Sequence, residues 1–137
     1  MTVDAFLHRM PWTRTDQRRE LLLSREWLVT NGLGGYAGGS IAGACTRRYH
    51  GLLVAALPAP LGRVVMLAHL AEEVRLSDGR LSRLGGEERP GEDPELHGAQ
   101  VVSEFRLESG LPVWRYEMDG CVLEKRLVLV HLQNTVH

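Results

Sequence analysis

The stretch Pro112-Val113-Trp114-Arg115-Tyr116-Glu117-Met118-Asp119-Gly120-Cys121-Val122-Leu123-Glu124 decides the fold class. Asp119 and Gly120 both tolerate the positive φ that a type I′ turn needs, and a two-residue loop fixes the pairing on either side of it. Met118 is therefore predicted to oppose Cys121, Tyr116 to oppose Leu123, and Arg115 to oppose Glu124. Trp114, Tyr116 and Met118 then share one face with Cys121 and Leu123. Arg115 and Glu124 fall on the other face as an opposite-charge pair, worth a few tenths of a kcal/mol. A slip of one residue would mix the aromatic cluster with the charges, so the pattern specifies its own register.

Working outward, three strands are predicted at 101–108, 112–118 and 121–130. Upstream, Ser77-Asp78-Gly79-Arg80 is a hairpin turn signal. The apolar run Tyr49 to Leu57 is closed by Pro58 and Pro60, and its length suits a buried strand. Arg63 to Leu76 is also apolar, with strand and helix both open for its middle. Glu26 to Thr30 is a short strand ending in the turn signal Asn31-Gly32. Short strands at regular spacing predict an all-β fold, an antiparallel β-sandwich spanning 21–137. Residues 133–137 read as the opening of a further strand. The sandwich is thus expected to be incomplete, truncated at its C-terminal end, with an open edge. Residues 1–20 read as an irregular leader with room for one short strand. Residues 14–26 suit a helical turn or two, capped by Thr15 or Asp16. The acidic, Gly- and Pro-rich segment 85–98 reads as a mobile surface loop.

Composition excludes more than it assigns. The chain has 137 residues, with 16 Lys+Arg against 17 Asp+Glu and a formal net charge of −1. That balance argues against a nucleic-acid partner. No apolar run is long enough to span a bilayer, so no membrane role is expected. The N-terminus lacks the order of a secretory signal, and Cys45 and Cys121 are too few for a disulfide framework, which predicts a cytoplasmic protein with reduced thiols. The six histidines show no ligand spacing, so no metal and no cofactor is expected.

Two stretches invite chemistry. Between Gly32 and Gly43 lie six glycines, too many for a helix. Gly32-Leu33-Gly34-Gly35-Tyr36-Ala37 fits a dinucleotide fingerprint by spacing, but that site needs a helix next, and no acidic residue follows at the ribose distance. A Walker loop fails for want of Gly-Lys-Ser/Thr. What remains is extended or looped chain where another backbone, a neighbouring domain or a ligand comes close. The second stretch is Thr46-Arg47-Arg48-Tyr49-His50-Gly51. Adjacent arginines on an extended segment point to opposite faces. Composition favours an ordinary strand entry with exposed arginines, a satisfied Tyr49 and a surface His50. The same residue types also suit a sugar, with planar donors for hydroxyls and an aromatic face for a pyranose. Glu72, Glu73, Glu104 and Glu117 offer carboxylates for glycoside hydrolysis, but no spacing selects a pair.

The run from Glu26 to Ser40, followed by Thr46 to Ala55, closely resembles the N-terminal domain of bacterial and archaeal glycogen debranching enzymes. The likeness extends more weakly through Gly62 to Leu67, Glu124 to Arg126, and Asn134 to His137. It implies an amylo-α-1,6-glucosidase context, with a β-sandwich packed against a separate (α/α) barrel that supplies the catalytic carboxylates. This chain shows no helical repeat, so by itself it is expected to be inactive, with no catalytic residue. Asn31, Gly34, Gly35, Tyr36, Arg47, Arg48, Tyr49 and His50 match the family's most distinctive stretch. They are expected to line the interface with the barrel near an α-glucan of the glycogen type. A free-standing glucan-binding module is the alternative.

Overall fold

A computed structural model describes residues 7–11, 18–86, 90–92 and 95–137. The elements run β1 (Leu7–Pro11), α1 (Arg18–Ser24), β2 (Glu26–Thr30), β3 (Tyr36–Ser40), β4 (Gly51–Leu57), β5 (Gly62–Leu67), β6 (Glu72–Arg75), β7 (Leu81–Leu84), β8 (Val102–Glu108), β9 (Leu111–Met118) and β10 (Cys121–Arg126). All pairings are antiparallel. One four-stranded sheet has the order β1-β8-β9-β10, a second has β2-β3-β4-β5, and β6-β7 is a separate hairpin. The fold is all-β, as the strand spacing predicts. Among the described residues, no helix is long and apolar enough to cross a membrane.

The deciding hairpin forms in the predicted register, with Met118 opposite Cys121, Tyr116 opposite Leu123 and Arg115 opposite Glu124. Asp119 and Gly120 take φ values of 46° and 81°. Trp114, Tyr116 and Met118 are buried. Leu123 is half-buried and Cys121 exposed, because β10 is the edge strand of its sheet. Lys125 also lies on the core side, opposite Trp114. Its ammonium sits 4.6 Å from the Trp114 ring centroid and donates to Glu72 at 3.0 Å. The two sheets meet through Trp27 of β2 and Trp114 of β9, edge to face at 5.4 Å and 89°. Phe105 adds a second edge contact to Trp114 at 5.3 Å. Such aromatic pairs contribute about 0.5–1.5 kcal/mol beyond their area burial.

The expected Arg115–Glu124 ion pair is replaced by a wider lattice. Glu124 accepts from Arg106 at 2.8 Å and Arg126 at 3.1 Å, while Arg115 turns to Glu117. Arg106 and Arg126 both register against Val113, and that small side chain lets them reach across β9 to the carboxylates. Arg106 also reaches Glu104 and Glu108, and Arg126 reaches Glu108. Hydrogen bonds from Arg106 hold the Glu108 and Glu124 carboxyls below their ordinary range, against the opposing effect of burial.

Other expectations change in detail. The apolar run from Arg63 to Leu76 divides into β5 and β6, with no helix between them. The one short strand allowed for within residues 1–20 forms as β1, and it pairs with β8. Leu22 of α1 is wholly buried in the core. The proposed caps Thr15 and Asp16 lie outside the described residues. The segment read as a surface loop, 85–98, has buried ends. Gly98 N–H donates to Gly85 O at 3.0 Å, and both glycines are buried with Gly86. Its residues 87–89 and 93–94 lie outside the described residues. The predicted strand 121–130 ends as regular ladder at Arg126, where Leu127 and Leu129 enter the core. Residues 128–130 instead pair back with 135–137 through reciprocal bonds of 2.8 Å between Val128 and His137.

Two outcomes test this packing. Trp114→Ala should cost about 3–5 kcal/mol in urea unfolding. The ion lattice should also make the fold acid-sensitive. Because Glu108 and Glu124 are held low in the folded chain, the unfolded chain takes up protons first as pH falls. Their stabilisation is complete above the ordinary glutamate value of 4.5 and is lost as pH drops through the lowered folded values. Arg106→Leu should flatten that dependence in thermal melts between about pH 5 and pH 2.

Candidate functional site

The site grows from the alternation of β2. Trp27 and Val29 point inwards, so Glu26, Leu28 and Thr30 point outwards. Glu26 is then placed to receive the Thr46–Gly51 segment. That segment is a turn, not the extended strand entry expected, and Arg47, Arg48 and Tyr49 are all exposed along it. A strand would have sent the two arginines to opposite faces. The turn forms instead because His50 folds back under it. Thr46 N–H and Arg47 N–H donate to His50 Nδ1 at 3.1 and 3.2 Å. His50 is therefore buried, not a surface residue. With Nδ1 accepting, the ring proton sits on Nε2, which donates to Glu26 Oε1 at 3.1 Å.

Glu26 gathers the rest. Arg47 Nε donates to Oε1, and Tyr49 hydroxyl donates to Oε2 at 3.3 Å. Burial raises the Glu26 carboxyl, but hydrogen bonds from Arg47 and His50, with the charge of Arg47, outweigh it and leave the group below its ordinary range. Tyr36 joins the cluster from β3, its hydroxyl donating to Tyr49 O at 2.8 Å. The Tyr49 ring stands edge-on to His50 at 5.3 Å and remains 52% exposed. Among the described residues Arg48 has no hydrogen-bond or ion-pair partner, so its guanidinium is open to solvent.

Asn31, Gly34 and Gly35 form a second group beside the first. The Asn31 side chain is wholly buried and uses all four of its bonds internally. Its Oδ1 accepts from Leu33 N–H at 2.9 Å and Gly35 N–H at 3.1 Å. Its Nδ2 donates to Gln133 O at 3.0 Å and Asn134 Oδ1 at 3.1 Å. The loop is thereby clipped to the C-terminal segment, and Leu132 N–H adds a bond to Asn31 O at 2.7 Å. A Cβ on Gly35 would lie 2.8 Å from Asn31 Nδ2 and 2.9 Å from Val54 O, so only glycine fits. Gly34 O accepts from Arg63 of β5 at 3.0 Å.

The structure thus brings Tyr36, Arg47, Tyr49 and His50 into one network, leaves Arg48 at its rim, and keeps Asn31, Gly34 and Gly35 as the adjoining clip. Glu26, the hub, is absent from the residues singled out by sequence. Its signal is the alternation of Glu26-Trp27-Leu28-Val29-Thr30, in which Trp27 and Val29 claim the core and leave Glu26 on the outer side of β2. The four glutamates considered for hydrolysis are each engaged by a cation: Glu72 by Lys125, Glu73 by Arg83, Glu104 by Arg106 and Glu117 by Arg115. Among the described residues, no cluster of three His, Cys, Asp or Glu side chains is placed to hold a metal.

Two packed antiparallel sheets carrying an outward Arg-Tyr turn define a β-sandwich domain with a polar-aromatic surface site. A family model described as glycogen debranching enzyme N terminal matches residues 25–137, and the chain belongs to that family. Comparison with curated proteins found no match, and comparison with solved structures found none.

Asn31→Ala should remove the clip and leave the buried Gly35 N–H unsatisfied, at about 1–3 kcal/mol. Urea unfolding measures the total, and faster amide exchange at Leu33, Gly35 and Leu132 locates it. Glu26→Gln should release the Arg47 side chain and loosen the turn, seen as faster exchange at the Thr46 and Arg47 amides with the core unchanged.

Proposed function

We propose that this chain is the non-catalytic β-sandwich part of a debranching-type α-1,6-glucosidase, working in the cytoplasm beside a separate helical-barrel catalytic domain. The turn at 46–50 and Tyr36 then form the docking surface next to the α-glucan site. The observation that carries this reading is the division of labour within the turn. Arg47 and His50 are consumed in holding it on Glu26, while Arg48 and the Tyr49 ring are left outward. Arginine and tyrosine are the side chains most often found at the energetic centres of protein interfaces. A guanidinium also donates to sugar hydroxyls, and a phenol ring covers the apolar face of a pyranose. Exposed Leu28, on the same outer face of β2 as Glu26, adds apolar area for a neighbouring domain. Membership of the family supplies the glucan context.

The second reading, a free-standing glucan-binding module, draws on the half-exposed Tyr49 ring alone. Affinity electrophoresis in gels containing glycogen separates the two. A docking domain migrates unretarded, whereas retardation abolished by Tyr49→Ala establishes the module. Purified chain should release no glucose from a branched limit dextrin; release that disappears with a single carboxylate substitution would overturn the non-catalytic assignment. In a family member that carries the helical domain, Ala at the position matching Arg48 should lower glucose release at least tenfold. Stability there should stay within about 0.5 kcal/mol, as for an exposed side chain. A matching loss of folded protein would make the arginine structural instead.

A further inference from the structure

The glycine-rich strand has a consequence away from the turn. Behind β3, between the two sheets, lies a partly enclosed cavity of about 260 Å3. One wall is apolar, built from Trp27, Trp114, Leu52, Leu67 and Leu127. Another is bare main chain at Gly38, Gly39, Gly43, Gly51 and Gly85. At Gly39 the space exists because the position carries no side chain. A Cβ at Gly39 would meet nothing nearer than the Trp27 ring at 3.7 Å. An engineered apolar cavity of about 150 Å3 is enough to take up benzene, so this one has room for two fused rings.

Ser40, Cys45, His69, Arg126 and His137 also border this cavity, with the Arg126 guanidinium committed to Glu108 and Glu124, and the two remaining polar side chains form one unit. Lys125 and Glu72 both line it and are bonded to each other at 3.0 Å, with side chains only 25% and 24% exposed. The Lys125 ammonium also rests over Trp114. An ammonium has three donors, and a carboxylate accepts several bonds. A hydroxyl placed here can accept from Lys125 and donate to Glu72 at once. An anion would meet the carboxylate and a cation the ammonium, so the pair favours a neutral polar group.

We propose that this inter-sheet cavity is a binding site for a small neutral ring compound, mainly apolar and carrying one hydroxyl, with the rings against the glycine wall and the hydroxyl on the Lys125–Glu72 pair. The site is separate from the 46–50 turn and does not depend on the role assigned to that turn.

The test uses the full chain and 2-naphthol as probe, followed by calorimetry and by the indole N–H signals of Trp27 and Trp114. Saturable binding of one molecule per chain, with both indole signals shifting, is the expected result. The anion 2-naphthoate should bind at least tenfold more weakly. Gly39→Val should fill the cavity and weaken 2-naphthol at least tenfold while the melting temperature is retained. Leu52→Phe fills it from the other wall if the first variant does not fold. Glu72→Gln should erase the preference for 2-naphthol over 2-naphthoate, because the carboxylate that repels the anion is gone while the Lys125 ammonium stays. Absence of saturable binding, or undiminished binding in a folded, filled variant, overturns the site. Equal or tighter binding of 2-naphthoate to the unmodified chain overturns the ligand class.

Discussion

The structure depends on one corner of backbone that receives two indoles. Trp27 Nε1–H donates to Ser40 O, and Trp114 Nε1–H donates to Ile41 O at 2.9 Å. The rings come from different sheets, yet both anchor on consecutive carbonyls at the end of β3. Their edge-to-face contact therefore sets how the sheets face each other, and the hydrogen bonds fix where along the sheets they cross. A buried indole N–H without a partner would carry a desolvation cost of about 1–3 kcal/mol, so this corner must be formed for the core to close. The chain answers that need locally: Ile41 N–H is taken by Arg25 O and Ala42 N–H by Leu22 O, which ties α1 to the same corner.

The glycines around this corner follow from the same constraint. A Cβ on Gly43 would lie 2.7 Å from Gly85 Cα, so the turn after β3 rests directly on the main chain after β7. Close approach of backbones replaces side-chain packing on that side of the sandwich. The surface chemistry lies elsewhere, where β2 turns Glu26 outwards. One fold thus separates two jobs: the inner side of β2 and β3 builds the core, and the outer side holds the Arg-Tyr turn.

Much of the fold was legible in the sequence because its signals are local. The Asp119-Gly120 turn dictated the β9–β10 register, and the turns at 31–32 and 77–80 were visible in the same way. The spacing of glycines ruled out a nucleotide-binding helix. Less legible were features that depend on distant partners. The bulge between Val102 and Glu104 lets Val102 and Phe105 share the core face despite their odd spacing. Val113 was one residue of a strand in the sequence, but in space it is the gap across which Arg106 reaches Glu124 and Arg126 reaches Glu108. The site was half legible. The arginines, tyrosines and His50 were named from their types and from the family likeness. The burial of His50 was hidden because its partners are two amides brought beneath it by a turn. The role of Glu26 was hidden because its three partners lie more than twenty residues away.

The Asn31 clip has a bearing on how the chain acquires its shape during synthesis. Its partners Gln133 and Asn134 lie 102 and 103 positions along the chain. The β2–β3 loop therefore cannot satisfy its buried amide until synthesis has passed residue 134. Contacts of such long sequence separation close slowly, because the loop entropy is lost before the bonds that repay it are made. The nascent N-terminal sheet must wait with Trp27 and Val29 uncovered until β9 brings Trp114 to meet them.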